Sequence, residues 1–177
     1  MVKGTYTIVI GSISKIKNKK SSKWNIGNVD DLIFNQAIDN FEIKSYETSL
    51  DVKDFDTSFV KGLSFEDGCA TLSEFTAYLI ADGLRKINKK NNINPNHYIF
   101  CGGGRKNKFL MRAIENYLGN ENKAISDIDN YNLDGNFIES QAFAYLAIRS
   151  YLKLPISFPS TTRCKKTISG GDILQNF

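Results

Sequence analysis

The chain has 177 residues, of which 41% are hydrophobic, 12% aromatic and 24% charged, with a formal net charge of +4. That length suits one domain or one lobe of something larger, and the apolar content is enough to build a core, which excludes a disordered chain. No apolar run nears the ~18 residues a bilayer demands, the first residues lack the apolar core of a signal peptide, and three widely spaced cysteines, Cys69, Cys101 and Cys164, suit reduced thiols in a cytoplasm.

In chain order, Thr5 to Ile10 is β-branched and aromatic and reads as a short strand. Lys15, Lys17, Lys19, Lys20 and Lys23 follow within nine positions. Such a run can bind phosphate backbones, but no aromatic residues alternate with the lysines, so a solvated loop is the favoured reading and no nucleic-acid partner is expected. From Val29 to Phe41, Leu32, Ile33, Ala37 and Phe41 keep a rough helical period, with Asn28 placed to cap it. Residues 42 to 63 read as irregular with one short helical turn.

The best-marked helix begins at Ser64-Phe65-Glu66-Asp67, which has the layout of a capping box with an acid in the fourth place. Leu72, Phe75, Leu79, Ile80, Gly83, Leu84 and Ile87 form its apolar stripe, and Lys86, Lys89 and Lys90 suit the negative end of its dipole. After a turn with Pro95 comes a short apolar strand, His97 to Cys101, and then three glycines, Gly102, Gly103 and Gly104. Leu110, Met111, Ile114, Tyr117 and Leu118 form a second helical stripe, with Asn107 placed to cap it. A strand at Lys123 to Ser126, a polar loop to Gly135 and a last helix from about Asn136 to Leu152 complete an α/β succession, with Ala142, Phe143, Leu146 and Ser150 on one helix face. Asp67 and Asp134 read as helix-capping residues. The tail, with Pro155, Pro159 and Gly170-Gly171, is expected to pack back on the body.

With His97 as the one histidine, a multi-histidine metal site is impossible, and no Cys-x-x-Cys pair exists to seed a zinc site. No metal-ligating residues are therefore expected. Chemistry has to run on carboxylates, backbone amides and a bound cofactor. Three glycines between a strand and a helix let the backbone take positive φ and let a flat ligand approach the main chain, beside the N–H groups of the helix that follows. The P-loop is excluded, because no Gly-Lys-Ser/Thr follows, and so is the dinucleotide fingerprint, which needs a third spaced glycine. A tight strand-to-helix connection with no ligand fits the same residues.

Four segments together resemble one family. Cys101 to Met111 is similar to the adenosine-side motif of anhydro-N-acetylmuramic acid kinases, members of the sugar kinase, Hsp70 and actin superfamily: Cys-Gly-Gly-Gly, two residues, Asn, then Leu-Met. Glu66 to Ala77 resembles the family's Asp-x-x-Ala-Thr-Leu-Thr-x-Phe-Thr-Ala helix, and Ile138 to Ala147 resembles its Glu-Ala-x-Ala-Phe-Ala-Trp-Leu-Ala helix. Pro159 to Thr162 with Gly170 to Ile173 is similar to its tail. The resemblance covers residues 24–177, a C-terminal nucleotide-binding lobe; residues 1–23, with the lysine-rich loop, match poorly. Thr48 replaces a lysine of the family's Pro-Pro-Lys-Ser stretch, and Arg163-Cys164 replaces Gly-Ala. The family's phosphate loop, its catalytic aspartate and its Asn-Ile-Gly-Gly turn do not occur in this sequence; Asn25-Ile26-Gly27-Asn28 only echoes the last.

The resemblance implies one actin-like (ribonuclease H-like) lobe, a mixed sheet flanked by helices, truncated relative to the two-lobe family. It implies ATP-dependent phosphorylation of 1,6-anhydro-N-acetylmuramic acid with Mg2+, giving N-acetylmuramic acid 6-phosphate. Gly102, Gly103 and Gly104 would lie against adenine and ribose, Asn107 would fix the turn, and Glu139 would be an auxiliary acid facing the sugar, the main catalytic aspartate being absent. Partners would be the sugar and a separate N-terminal lobe or a second copy, with no membrane. The alternative is a non-catalytic remnant or nucleotide-binding module without turnover.

Overall fold

A computed structural model describes residues 5–9 (as backbone), 27–41, 55–119, 124–162, 164–172 and 174. The lysine run and Thr48 lie outside these. Three strands, β1 (Thr5–Val9), β2 (His97–Cys101) and β3 (Ala124–Asp127), form a sheet of order β1-β2-β3, parallel throughout. The described sheet is therefore parallel where a mixed one was expected. Each connection carries helices, as parallel pairing requires: α1 (Asp31–Asn40) and α2 (Phe65–Lys90) between β1 and β2, and α3 (Lys108–Gly119) between β2 and β3.

Helix α2 starts as its capping box dictates. The Ser64 hydroxyl accepts from the Asp67 N–H at 3.1 Å and donates to the Asp67 carboxylate at 2.7 Å. That carboxylate also accepts from the Asn28 N–H at 2.8 Å. That bond uses the Asn28 main chain; α1 begins at Asp31 and is capped by Asp30, not Asn28, the Asp30 side chain accepting from the Ile33 N–H at 3.0 Å. Leu32, expected on the buried face of α1, is exposed, and Ala37 is the buried residue there.

The core lies where α2 and α3 cover β2. Ala77, Ala81, Tyr98, Phe100, Leu110, Ala113, Ile114 and Leu118 form one buried cluster. The buried side of α2 is built largely from small residues, Ala70, Ala77, Ala81 and Gly83, while Ile87 of the expected stripe is exposed. Small side chains let α3 and the sheet approach the helix closely, which large ones at the same positions would prevent. A second face of α2 carries Phe75, against the rings of Phe41 and Phe59. Polar ties fix the layers: the Tyr117 hydroxyl donates to Glu74 at 2.8 Å and the Asn88 amide donates to the Tyr98 hydroxyl at 2.7 Å.

Beyond β3, the chain forms a helical turn at Ile128–Tyr131 and then α4 (Ile138–Tyr151), which buries none of its residues. The described part of the tail folds back on the end of α4. Arg149 donates to the Pro155 carbonyl at 2.7 Å, the Ser150 hydroxyl donates to the Gly170 carbonyl, and Ser157 bridges Ile168 antiparallel. Among the described residues these bonds tie the tail to the end of α4 and to itself.

Candidate functional site

In an open parallel sheet the loops that leave the carboxyl ends of neighbouring strands face a common crevice. Here those loops are the glycine turn after β2 and residues 128–136 after β3. Phe100 pairs with Asp127, so both strands end at the same level.

Gly102 has φ +87° and ψ 173°, a backbone conformation that side chains rarely adopt. Gly103–Lys106 then makes one tight helical turn. Asn107 ends that turn and caps α3, its side-chain oxygen accepting from the N–H groups of Phe109 at 3.1 Å and Leu110 at 3.2 Å. The capping role read from the sequence is thus the one observed. Gly103 is exposed and Gly102 and Gly104 are half-buried.

Arg105 points the other way. It is only 7% exposed, and its guanidinium donates to Asp127 at 3.0 Å, to Asp129 at 2.7 and 3.3 Å, to the Gly102 carbonyl at 2.9 Å and to Asn136 at 3.4 Å. Burial works against its charge, but the hydrogen bond it donates to Asp129 and the fields of both aspartates outweigh that and raise its pKa. The Asp129 carboxyl is held below the usual range, first by the Gly135 N–H and then by Arg105. The Gly135 N–H donates to Asp129 at 2.6 Å, and the Gly135 carbonyl accepts from the Gly102 N–H at 3.2 Å. Gly135 is buried, and a Cβ there would lie 2.6 Å from the guanidinium carbon.

These bonds bring the glycine turn to the segment leading into α4. Glu139 stands exposed in the first turn of that helix, three residues beyond Asn136. Asp134 does not cap α4; its carboxylate accepts from the Asn136 N–H and side-chain amide at 2.8 and 2.7 Å and shapes the turn ahead of it. His97 bonds with the Ser126 hydroxyl inside the sheet and stays a strand-entry residue. Cys69 and Cys101 are buried cysteines, each pushed up in pKa chiefly by burial. Among the described residues no group of three His, Cys, Asp or Glu gathers to hold a metal, and no helix is long and apolar enough to cross a membrane.

The Arg105 cluster was not read from the sequence. Its signal was present as an arginine directly after the glycines and an Asp-x-Asp pair at 127 and 129 closing the next strand. Only the parallel register of β2 and β3 puts them together.

Comparison with known proteins gives a consistent result. The family described as "Anhydro-N-acetylmuramic acid kinase" matches residues 39–176. A protein of Pelagibacter ubique named anhydro-N-acetylmuramic acid kinase is 51% identical over 164 residues, covering 91% of this chain and 43% of the relative. A Zymomonas mobilis protein of the same name is 38% identical over 125 residues, 71% of this chain and 32% of its own length. A Jannaschia protein named anhydro-N-acetylmuramic acid kinase 2 is 34% identical over 148 residues, covering 83% of this chain and 37% of the relative. The chain spans less than half the length of each of these relatives.

Proposed function

The chain belongs to the anhydro-N-acetylmuramic acid kinase family, and from that premise we propose that residues 24–177 are the C-terminal nucleotide-binding lobe of an ATP-dependent kinase of 1,6-anhydro-N-acetylmuramic acid. The lobe takes the actin-like arrangement, with residues 1–23 as a leading segment. The observation that carries the reading is the glycine turn at the carboxyl end of β2, with Gly102 at positive φ and Gly103 exposed.

Adenine and ribose lie along Gly102, Gly103 and Gly104, where a Cβ would hold the ligand off the main chain. Asn107 keeps the turn in place by capping α3. Glu139 faces the sugar from the first turn of α4 as an auxiliary acid. The nucleotide, bound with Mg2+, supplies the phosphoryl group that reaches the 6-oxygen of the sugar as water opens the anhydro bridge. Such transfer depends mostly on positioning and charge stabilisation, so this lobe's share is to bind and orient. The carboxylate that activates the attacking water, and the groups that hold the metal with the phosphates, come from a complementary N-terminal lobe. A cytoplasmic setting goes with that role and with the reduced thiols.

The exposed apolar surface of α4 supports a missing neighbour. Phe143, Tyr145, Ile148 and Tyr151 are all more than half exposed, an arrangement a lone soluble lobe rarely keeps. The second reading is a nucleotide-binding module without turnover. One experiment separates the two. The purified chain is titrated with Mg-ATP by calorimetry, then incubated with ATP, Mg2+ and the anhydro sugar, with and without a separately made N-terminal portion of a relative. Product in the mixture alone establishes the lobe; ATP binding without product in the mixture establishes the module; neither binding nor product overturns both.

A further inference from the structure

We propose that Arg105 is a positioning residue that locks the glycine turn to the head of α4, making the nucleotide face and the acid-bearing helix one mechanical unit. The inference rests on reading the turn as the nucleotide face, but its structural part stands on a closed ring of hydrogen bonds. The Gly102 carbonyl accepts from Arg105 and the Gly102 N–H donates to the Gly135 carbonyl. The Gly135 N–H donates to Asp129, and Asp129 accepts from Arg105. Both polar groups of the one positive-φ residue in the turn are thereby held, and the Asn136 contact extends the ring to three residues before Glu139.

A buried guanidinium is a poor device for stability alone, because desolvation offsets much of the attraction. It is a good device for orientation, since its planar fork fixes several acceptors at once, which a lysine ammonium cannot do. The four acceptor groups of Arg105 come from three separate segments: the turn, the end of β3 with the bend after it, and the entry to α4. Gly135 completes the fit, since the space a Cβ would need is filled by the guanidinium.

The test uses the 177-residue chain with Arg105→Ala, Arg105→Lys and Gly135→Ala, the last displacing the guanidinium without removing it. Amide hydrogen exchange is followed at Gly102 and Gly135, with Ala77 in α2 and Ile114 in α3 as core references. Arg105→Ala is expected to speed exchange at Gly102 and Gly135 by about tenfold or more, with the core references unmoved. Arg105→Lys should recover little of it, and Gly135→Ala should reproduce the defect. Mg-ATP affinity should fall by roughly tenfold in the same variants. Unchanged exchange at both glycines, or full recovery by lysine, overturns the proposal; so does equal acceleration at Ala77 and Ile114, which marks Arg105 as a general stabiliser. Should Arg105→Ala fail to fold, Arg105→Lys and Gly135→Ala decide the matter. If the unsubstituted chain binds no Mg-ATP, the nucleotide reading fails, while the exchange pattern still decides the role of Arg105.

Discussion

Helices α3 and α4 are of similar length, 12 and 14 residues, yet they live in opposite environments. Helix α3 sorts its side chains by face: Leu110, Ala113, Ile114 and Leu118 are buried, while Lys108, Arg112, Glu115 and Asn116 meet water. Helix α4 sorts poorly. Ile138, Ala142, Phe143, Tyr145, Ala147, Ile148 and Tyr151 run around much of its circumference, and none is buried. A helix apolar on most sides is normally a covered one. The contrast teaches that α3 is shaped by its own sheet, whereas α4 leaves its apolar side chains uncovered by the described residues, which is the surface the proposed neighbour would cover. Its firm attachment is at the N-terminal end, through the Arg105 ring, and at its C-terminal end through the tail.

The sharpest way to break this contrast is to truncate one large side chain in each helix. Ile114 is fully buried and Phe143 is 65% exposed. Ile114→Ala is expected to cost roughly 2–5 kcal/mol in urea unfolding, the range for emptying a packed core position. Phe143→Ala is expected to stay within about 0.5 kcal/mol, as exposed substitutions do. Equal losses would mean that α4 is packed against its own lobe in solution, and the contrast would fall.

A second measurement asks what the uncovered face does when no partner is supplied. The chain alone should associate with itself as concentration rises, read by sedimentation velocity. Phe143→Asp with Tyr151→Asp should weaken that association by on the order of a hundredfold, given the free energy of burying two large apolar side chains. A chain that stays monomeric at every concentration would remove the covering-partner reading of α4.

A smaller effect is expected at the junction between the core and the proposed site. Asn107→Ala removes the acceptor for two otherwise orphaned N–H groups of α3 and should cost about 1 kcal/mol. Because the same residue ends the glycine turn, Mg-ATP affinity should fall with it. Asn107→Asp keeps the acceptor and should restore the stability.

Much of this was legible in the sequence, for identifiable reasons. Strand β2 begins and ends where the apolar run does, and α2 begins at the serine whose spacing to Asp67 marks a cap, because both signals are local. Asn107 was legible for the same reason. The α1 cap was not: Asn28 and Asp30 are both residues that can cap, and Asp30, whose N–H is held by Thr71 41 positions away, is the one that does. The buried side of α2 was legible in part: Phe75 and Gly83 of the expected stripe are buried and Ile80 and Leu84 pack against the core, while the close approach of α3 added Ala77 and Ala81 and Ile87 is exposed. The Arg105 ring was illegible for a related reason: three loops meet only once the strand register is known. The parallel pairing of β1 likewise follows from tertiary placement, not from its five residues.

The finest probe of the contrast is pH, because the ring that anchors α4 depends on a carboxylate and the α3 core does not. Asp129 is held below the ordinary carboxylate range, first by the Gly135 N–H and then by Arg105. A carboxyl whose folded pKa is depressed stabilises the fold fully above its unfolded value, about 3.9, and that contribution is lost as pH falls through the lower folded value. Asp67, held down by the Asn28 N–H and Ser64, shares the sign and guards the start of α2. The Gly135 amide proton resonance should therefore stay constant from neutral pH down past the ordinary aspartate range and move only below it. Asp129→Asn should flatten that titration, since its amide oxygen can still accept from Gly135 but carries no charge to lose. A midpoint at the ordinary aspartate value would show that the carboxylate is not held, and the anchoring of α4 to the glycine turn would lose its electrostatic support, while the Ile114 amide, buried in the apolar core, should report nothing over the same range.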